Sequence, residues 1–218
     1  MQTSPKAILF DLDGTLVDTA PDLAAALNHV LQKNNKKPLS YEVIRPIASD
    51  GSLGLLRLGF GINEKSEEFP ALREQLLNYY QTHIADHSRL FEGMESVLDY
   101  LAQQNIAWGV VTNKPYQLSC ELLAKLNLAQ KTLCIIGGDS LPQRKPHPAP
   151  LLQAAKILNV SPEQCWYIGD ARRDIDAGKN ANMTTLVALW GYLHKEENPK
   201  SWQADFYIEK PLDLLQKI

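Results

Sequence analysis

Short apolar runs alternate with amphipathic stretches over most of the chain. Five runs have the length and composition of buried strands, at residues 7–10, 106–111, 134–137, 165–168 and 184–189. Between the later runs, apolar positions recur at helical spacing over residues 95–104, 116–126, 148–159 and 172–181. Strands that alternate with helices predict an α/β fold, in which helices cover both faces of a parallel sheet.

The gap between the first and second strands is much longer than a single crossover requires. Its pattern is helical from residue 21 to about residue 87, over residues 22–33, 41–47, 53–58 and 69–87. Breaks at Pro38 and Asp50-Gly51 divide the region into separate helices. We therefore expect a Rossmann-like parallel-sheet core, residues 1–16 and 89–218, with residues 17–88 inserted as a helical cap.

Composition narrows the class of protein. The 218 residues are 44% hydrophobic, which is enough to fill a core, and the formal net charge of −3 with no basic run argues against nucleic-acid binding. No stretch approaches membrane-spanning length and the N-terminus lacks an apolar signal region, so we expect a cytoplasmic protein without membrane contact. The three cysteines are widely spaced, which predicts neither a zinc site nor a disulfide framework.

Two closely spaced acids follow the first apolar run. Residues 7–10 lead into Asp11 and Asp13, and Gly14 lets the backbone turn sharply away from the strand. Two carboxylates one residue apart repel each other, so this position invites a divalent cation or a proton. An Asp-Gly turn with solvated acids is the alternative, but three later fragments favour a functional site.

The second fragment is an apolar run that ends in a hydroxyl and an amide. Residues 108–111 are followed by Thr112 and Asn113. In open α/β sheets, ligands bind outside the carboxyl ends of the strands, where these side chains are placed to hold phosphate oxygens. The alternative is that they cap the next helix.

Two more fragments add a cation and a second pair of acids. Lys145 is followed by prolines at 146 and 148, which hold the backbone extended just ahead of a helix. Another apolar run ends at Asp170, with Asp174 one helical turn further on. The alternatives are an exposed basic turn for Lys145, helix capping by Asp170 and a surface ion pair for Asp174.

Together the four fragments supply the residue types that phosphoryl transfer needs. One carboxylate can attack phosphorus, and a second carboxyl group can exchange a proton with the leaving oxygen and with water. Mg²⁺ prefers oxygen ligands and would lower the repulsion between carboxylates and phosphate. Thr112, Asn113 and Lys145 can meet the charge on the phosphoryl oxygens.

The four fragments also resemble, in the same order, the motifs of the haloacid dehalogenase superfamily: Asp11-Leu-Asp-Gly-Thr, Val110-Val-Thr-Asn, Lys145-Pro and Gly169-Asp-Ala-Arg-Arg-Asp. The resemblance implies that Asp11 is the nucleophile and Asp13 the general acid/base, with Thr112 and Lys145 completing the catalytic set. It also implies a Mg²⁺ site formed by Asp11, the backbone carbonyl of Asp13 and Asp170, with Asp174 as an outer or additional ligand.

The position of the insertion resembles the helical-cap subclass, in which a cap loop contacts the organic part of the substrate. The matching residues here are Ser49, Gly51 and Ser52. Asp50 departs from the glycine-rich or basic stretch of many phosphoglycolate phosphatases and would repel a small carboxylate if it faced the substrate. Arg172 and Arg173 either orient Asp170 or are solvated in a first helical turn, and we favour the second alternative.

Within the superfamily the chain resembles bacterial phosphoglycolate phosphatases, and it looks closer still to a proteobacterial branch that dephosphorylates N-acetylmuramic acid 6-phosphate. The resemblance implies a Mg²⁺-dependent phosphatase that hydrolyses a small phosphorylated metabolite through an aspartyl phosphate. A phosphomutase and a non-catalytic binding protein are the alternatives. The oligomeric expectation is a monomer or a homodimer.

Overall fold

The computed structural model describes residues 4–194 and 196–218. Six parallel strands form one sheet in the order β5-β4-β1-β6-β7-β8, and β2 and β3 form a separate antiparallel pair. The strands are β1 Ala7–Phe10, β2 Val17–Asp18, β3 Arg89–Leu90, β4 Ala107–Val111, β5 Ile135–Ile136, β6 Cys165–Gly169, β7 Thr184–Ala188 and β8 Phe206–Ile208. The predicted α/β class with a parallel sheet is confirmed.

Eight α-helices accompany these strands within the described residues. They are α1 Ala20–Lys33, α2 Tyr41–Ile44, α3 Gly51–Phe60, α4 Phe69–Thr82, α5 Met94–Gln103, α6 Tyr116–Lys125, α7 Ala149–Ile157 and α8 Arg172–Asn180. A 3₁₀ segment, Arg45–Asp50, joins α2 to α3. In this part of the chain, every helix is too short or too polar to cross a membrane.

Strand β1 lies in the middle of the sheet and is buried on both faces. Ile8 and Phe10 pack into the larger apolar cluster, which includes buried residues of α5 and α6. Ala7 and Leu9 point the other way, into a cluster formed with α7 and α8. Every residue of β1 is apolar, as expected for a parallel strand that is covered on both faces.

Helices α1 to α4 lie between β2 and β3 in the sequence. Helix α1 packs against α4 and α3, and its buried positions belong to the same apolar cluster as one face of the sheet. The antiparallel pair β2 and β3 joins the two connecting segments, with Val17 opposite Leu90. This pairing places the start and the end of the helical region side by side.

Helix α4 is shorter than the sequence predicts, because it ends at Thr82 and not near residue 87. The Asp22 carboxylate accepts hydrogen bonds from the backbone N–H groups of His87 and Ser88, at 2.8–3.1 Å. If helix α4 continued to residue 87, these N–H groups would donate to carbonyls of the helix itself. Their hydrogen bonds to Asp22 therefore show that the backbone has left the helix before this point. The sequence pattern also does not predict strand β8, which lies at the edge of the sheet.

Candidate active site

Three neighbouring strands bring candidate residues to one edge of the sheet. Strands β4, β1 and β6 are adjacent and parallel, so their carboxyl ends meet. Asp11 directly follows β1, Thr112 follows β4 and Asp170 follows β6, and all three are buried. This edge is where a parallel sheet positions ligands.

Lys145 lies at the centre of the acidic cluster. Its Nζ is 2.9 Å from Asp11 Oδ1 and 2.8 Å from Asp174 Oδ1, and the side chain is fully buried. The ammonium also donates to the Val111 carbonyl at 3.0 Å and to the Tyr167 hydroxyl at 2.7 Å. An exposed basic turn at this position is therefore excluded, and Lys145 neutralises part of the charge of two acids.

The Asn113 side chain fixes the backbone of Lys145. Its Nδ2 donates to the Lys145 carbonyl at 3.0 Å, and its Oδ1 accepts from the Lys145 N–H at 3.1 Å. Thr112 Oγ1 accepts from the backbone N–H of Lys114 at 3.2 Å, so it stabilises the loop after β4. Substrate binding by Thr112 and Asn113 stays a prediction.

The helix-capping role that the alternative assigned to Asp170 belongs to Asp174. Helix α8 begins at Arg172, and Asp174 Oδ2 accepts from the Ala171 N–H at 3.0 Å. Asp170 is not the cap of this helix, because its carboxylate contacts other parts of the chain. Its oxygens accept from Thr15 Oγ1 at 3.1 Å, Ser49 Oγ at 2.9 Å and the Tyr192 N–H at 2.8 Å.

The carboxylates of Asp11, Asp170 and Asp174 fit a divalent cation. Each offers an oxygen, and these atoms lie within 4.8 Å of one another in a buried setting. Burial, and then the charge of the neighbouring acids, raises the pKa of Asp170 to about 7, and burial also raises the pKa of Asp11. Burial disfavours the charged forms of these acids, a penalty that a bound cation would relieve, and hard oxygen donors suit Mg²⁺. The Asp13 side chain is not a member of this cluster.

We expect Mg²⁺ to stabilise the protein, and to do so more strongly at about pH 8 than at about pH 6. In the metal-free protein the pKa of Asp170 is raised to about 7. As the pH rises toward 7, Asp170 ionises first in the unfolded chain, so the metal-free fold loses stability over this interval. Mg²⁺ must displace the Asp170 proton below pH 7, which weakens its apparent affinity about tenfold per pH unit. Thermal unfolding with and without Mg²⁺ across this range measures the effect. An equal Mg²⁺-induced shift in Tm at both pH values would contradict it.

Asp13 belongs to a second polar group beside the cluster. Its Oδ1 accepts from Lys114 Nζ at 2.9 Å and from Thr19 Oγ1 at 2.6 Å. Lys114 Nζ also donates to the Tyr80 hydroxyl, on α4, at 2.9 Å. Burial alone would lower the pKa of Lys114, but the Asp13 carboxylate and Tyr80 more than offset it and raise this pKa. The sequence reading missed Lys114, Tyr80 and Thr19.

The 3₁₀ segment Arg45–Asp50 contacts the acidic cluster directly. Ser49 donates its hydroxyl to Asp170, and its carbonyl accepts from Arg173 Nη2 at 2.7 Å. Asp50 lies 3.8 Å from the Arg173 guanidinium and 3.3 Å from His194 Nε2. The favoured alternative of a solvated Arg173 is wrong, because this side chain is 26% exposed and donates to the Ser49 carbonyl of the 3₁₀ segment.

The other predicted residues of this region lie further out. The Arg172 side chain is 69% exposed and pairs with Asp176 at 3.6 Å, as a solvated helical residue would. Gly51 begins α3 with a φ of +63°, a conformation that favours glycine. The Ser52 hydroxyl accepts from Arg73 Nε of α4 at 3.3 Å. Substrate contacts by Ser49, Gly51 and Ser52 stay predictions.

Comparisons with known proteins find relatives over nearly the whole chain. A family model described as haloacid dehalogenase-like hydrolase matches residues 8–188. The chain is 42% identical over 211 residues to the phosphoglycolate phosphatase of Xanthomonas campestris pv. campestris (strain 8004), covering 96% of this chain and 95% of that protein. It is 38% identical over 213 residues to the N-acetylmuramic acid 6-phosphate phosphatase of Pseudomonas putida, covering 98% and 96%.

A solved structure extends the likeness to three dimensions. The crystal structure of a predicted phosphoglycolate phosphatase from Haemophilus somnus 129PT superimposes with a TM-score of 0.88 and 28% identity, covering 100% of this chain and 99% of that one. The chain belongs to the haloacid dehalogenase-like hydrolase family, and the resemblance stated from its four motifs is confirmed.

Proposed function

We propose that this protein hydrolyses a small phosphate monoester with Mg²⁺, through an aspartyl phosphate on Asp11. The chain is a phosphatase of the haloacid dehalogenase-like family. The observation that carries the mechanism is the position of Asp11, which directly follows the central strand and lies beside a lysine and two further buried acids. A carboxylate so placed is a nucleophile held next to charges that can bind phosphate and metal.

Each side chain has a distinct task in the proposed reaction. Asp11 attacks phosphorus in line and forms the aspartyl phosphate. Asp13 gives a proton to the leaving alkoxide and later takes one from the water that cleaves this intermediate. Lys145 and Thr112 hold the charge of the phosphoryl oxygens, and Lys145 also keeps Asp11 in position through its ammonium.

The metal is supported by the chemistry of its donor set. Asp11, Asp170 and Asp174 would hold Mg²⁺ with the backbone carbonyl of Asp13. When bound, Mg²⁺ supplies positive charge for the phosphoryl oxygens and relieves the repulsion among the carboxylates. The protein's own part is to keep these acids buried and close together, which it does by burying Lys145 among them.

Residues 17–88 act in this proposal as a cap that excludes bulk water during the reaction. The contacts of Ser49 with Asp170 and of Arg173 with the Ser49 carbonyl support this role, because they connect the helical region to the sheet at the site. We place the reaction in the cytoplasm and expect a monomer or a homodimer. A phosphomutase would need a second hydroxyl acceptor and would show no net hydrolysis.

The substrate we favour is 2-phosphoglycolate, with N-acetylmuramic acid 6-phosphate as the alternative. Relatives named for each activity align over nearly the whole chain. The position of Asp50, 3.8 Å from the Arg173 guanidinium, supports the small carboxylate substrate, because the positive charge of Arg173 offsets the negative charge of Asp50. Within residues 4–194 and 196–218, no feature excludes the larger sugar phosphate, so turnover decides the substrate.

The test is kcat/KM of the purified protein with Mg²⁺ for both compounds side by side. We expect hydrolysis of at least one, and a preference for 2-phosphoglycolate of about tenfold or more, the selectivity that 1.4 kcal/mol of differential transition-state binding gives. A preference for the sugar phosphate would replace the favoured substrate with the alternative. Absence of phosphate release from either compound and from p-nitrophenyl phosphate would contradict the proposed function and favour a non-catalytic role.

A further inference from the structure

We infer that Lys114 is a positioning residue for Asp13, and that Tyr80 links it to the cap helix α4, so that the docked cap aligns the proton donor. The inference rests on the proposed function, because it concerns the step in which Asp13 exchanges a proton. It gives a role to two buried side chains that the four motifs leave without one.

The Lys114 ammonium is held between the core and the cap. Its Nζ lies 2.9 Å from Asp13 Oδ1 and 2.9 Å from the Tyr80 hydroxyl, and 4.4 Å from the centre of the Tyr80 ring. The Lys114 side chain is 7% exposed and Tyr80 is 1% exposed. A lysine that is buried with two fixed partners has little rotational freedom, so its position depends on both.

The contacts of Asp13 restrain one oxygen and leave the other. Among the described residues, the side-chain hydrogen bonds to this carboxylate come from Lys114 and Thr19, and both go to Oδ1. Fixing Oδ1 sets the plane of the carboxylate and therefore the direction of Oδ2. A general acid must lie within hydrogen-bonding distance of the leaving oxygen, so this orientation bears directly on its efficiency.

Both restraints on Asp13 lead to the cap. Thr19 immediately precedes α1, and Lys114 contacts α4 through Tyr80. Helices α1 and α4 pack against each other. A displacement of α4 would remove Tyr80 from Lys114 and loosen one of the two donors to Oδ1. Cap docking and alignment of the acid are coupled by this path.

The adjacent residue of α4 provides a matched control. Gln81 Nε2 bridges the cap to the core by donating to the Glu121 carboxylate of α6 at 3.0 and 3.1 Å, on the surface. Gln81→Ala removes this cap–core contact without touching Lys114 or Asp13. A general loosening of the cap would make Gln81→Ala and Tyr80→Phe behave alike.

The experiment compares leaving groups that differ in their need for a proton. We would measure kcat/KM, which reports the steps up to leaving-group release, for wild type, Tyr80→Phe, Lys114→Met and Gln81→Ala. The substrates are p-nitrophenyl phosphate, whose phenolate leaves unprotonated, and the two alkyl esters 2-phosphoglycolate and N-acetylmuramic acid 6-phosphate. Folding of each variant is checked by circular dichroism and thermal unfolding.

We expect a loss that depends on the leaving group. Lys114→Met should lower kcat/KM for the alkyl ester by about 100-fold, the lower end of what general acid catalysis contributes, and for p-nitrophenyl phosphate by much less. Tyr80→Phe should show the same bias at about tenfold, and Gln81→Ala should show none. A purely structural role for Lys114 would lower both classes of substrate equally.

The outcomes separate this inference from the proposed function. Equal losses on both leaving groups, or full activity in Tyr80→Phe and Lys114→Met, would overturn the positioning role while leaving the phosphatase in place. Failure of the wild type to hydrolyse any of the three esters would overturn the proposed function itself. If Lys114→Met does not fold, the leaving-group ratio of the isosteric Tyr80→Phe variant decides.

Discussion

Replacing Asp11 with Asn should reduce turnover by about 10⁴-fold or more, because the amide cannot form the aspartyl phosphate. The substitution preserves the size of the side chain at the end of β1, where Oδ1 accepts from the Leu12 N–H at 2.8 Å and lies 2.9 Å from Lys145 Nζ. Loss of activity would therefore not reflect loss of packing. The measurement is kcat with Mg²⁺ on the better substrate, combined with acid quench of radiolabelled phosphoenzyme.

The control for this variant is Asp99→Asn, which makes the same change of charge at an exposed position of α5. We expect wild-type turnover from Asp99→Asn, and a labelled, acid-stable phosphoenzyme from the wild type but not from Asp11→Asn. Turnover of Asp11→Asn at the wild-type rate would remove Asp11 as the nucleophile. A phosphoenzyme in Asp11→Asn would assign the covalent step to another residue.

The sequence predicts the part of this site that follows directly from strands. An apolar run that ends in a polar residue places that residue at the carboxyl edge of a parallel sheet, so Asp11, Thr112 and Asp170 could be brought together without coordinates. Their adjacency needed only the order of strands β4, β1 and β6. The position of Lys145 is harder to predict from the sequence, because this residue lies in a loop. The path of the loop is set by the hydrogen bonds that Asn113 makes to the Lys145 backbone.

Contacts between the helical region, residues 17–88, and the sheet could not be predicted in the same way. Tyr80 lies 34 positions before Lys114, on a helix whose apolar pattern says which side is buried but not which core residue it meets. Arg172 and Arg173 show the same limit, because neighbouring helical residues point in directions about 100° apart. Arg172 is solvated and Arg173 reaches the Ser49 carbonyl, and only the packing of the helical region against the sheet distinguishes the two side chains.

Replacing Lys145 with Met should damage both the stability and the activity of the protein. The substitution keeps the length and apolar stem of the side chain but leaves Asp11 and Asp174 buried without their shared cation. Removing one partner of a buried ion pair typically costs about 3–5 kcal/mol, so we expect a loss of unfolding free energy in that range in the absence of metal. Denaturant unfolding measures it, with Lys156→Met on the exposed face of α7 as the control.

Mg²⁺ separates the two roles of Lys145. A bound divalent cation would offset the charge of Asp11 and Asp174, so it should restore a large part of the stability that Lys145→Met loses. It should not restore kcat, which we expect to remain about 10²–10³-fold below wild type, because the ammonium is also needed against the developing phosphoryl charge. If Mg²⁺ restored both the stability and kcat, the role of Lys145 would be limited to balancing the charge of the two acids. Recovery of stability alone would show that the lysine that holds the acids together also takes part in the reaction.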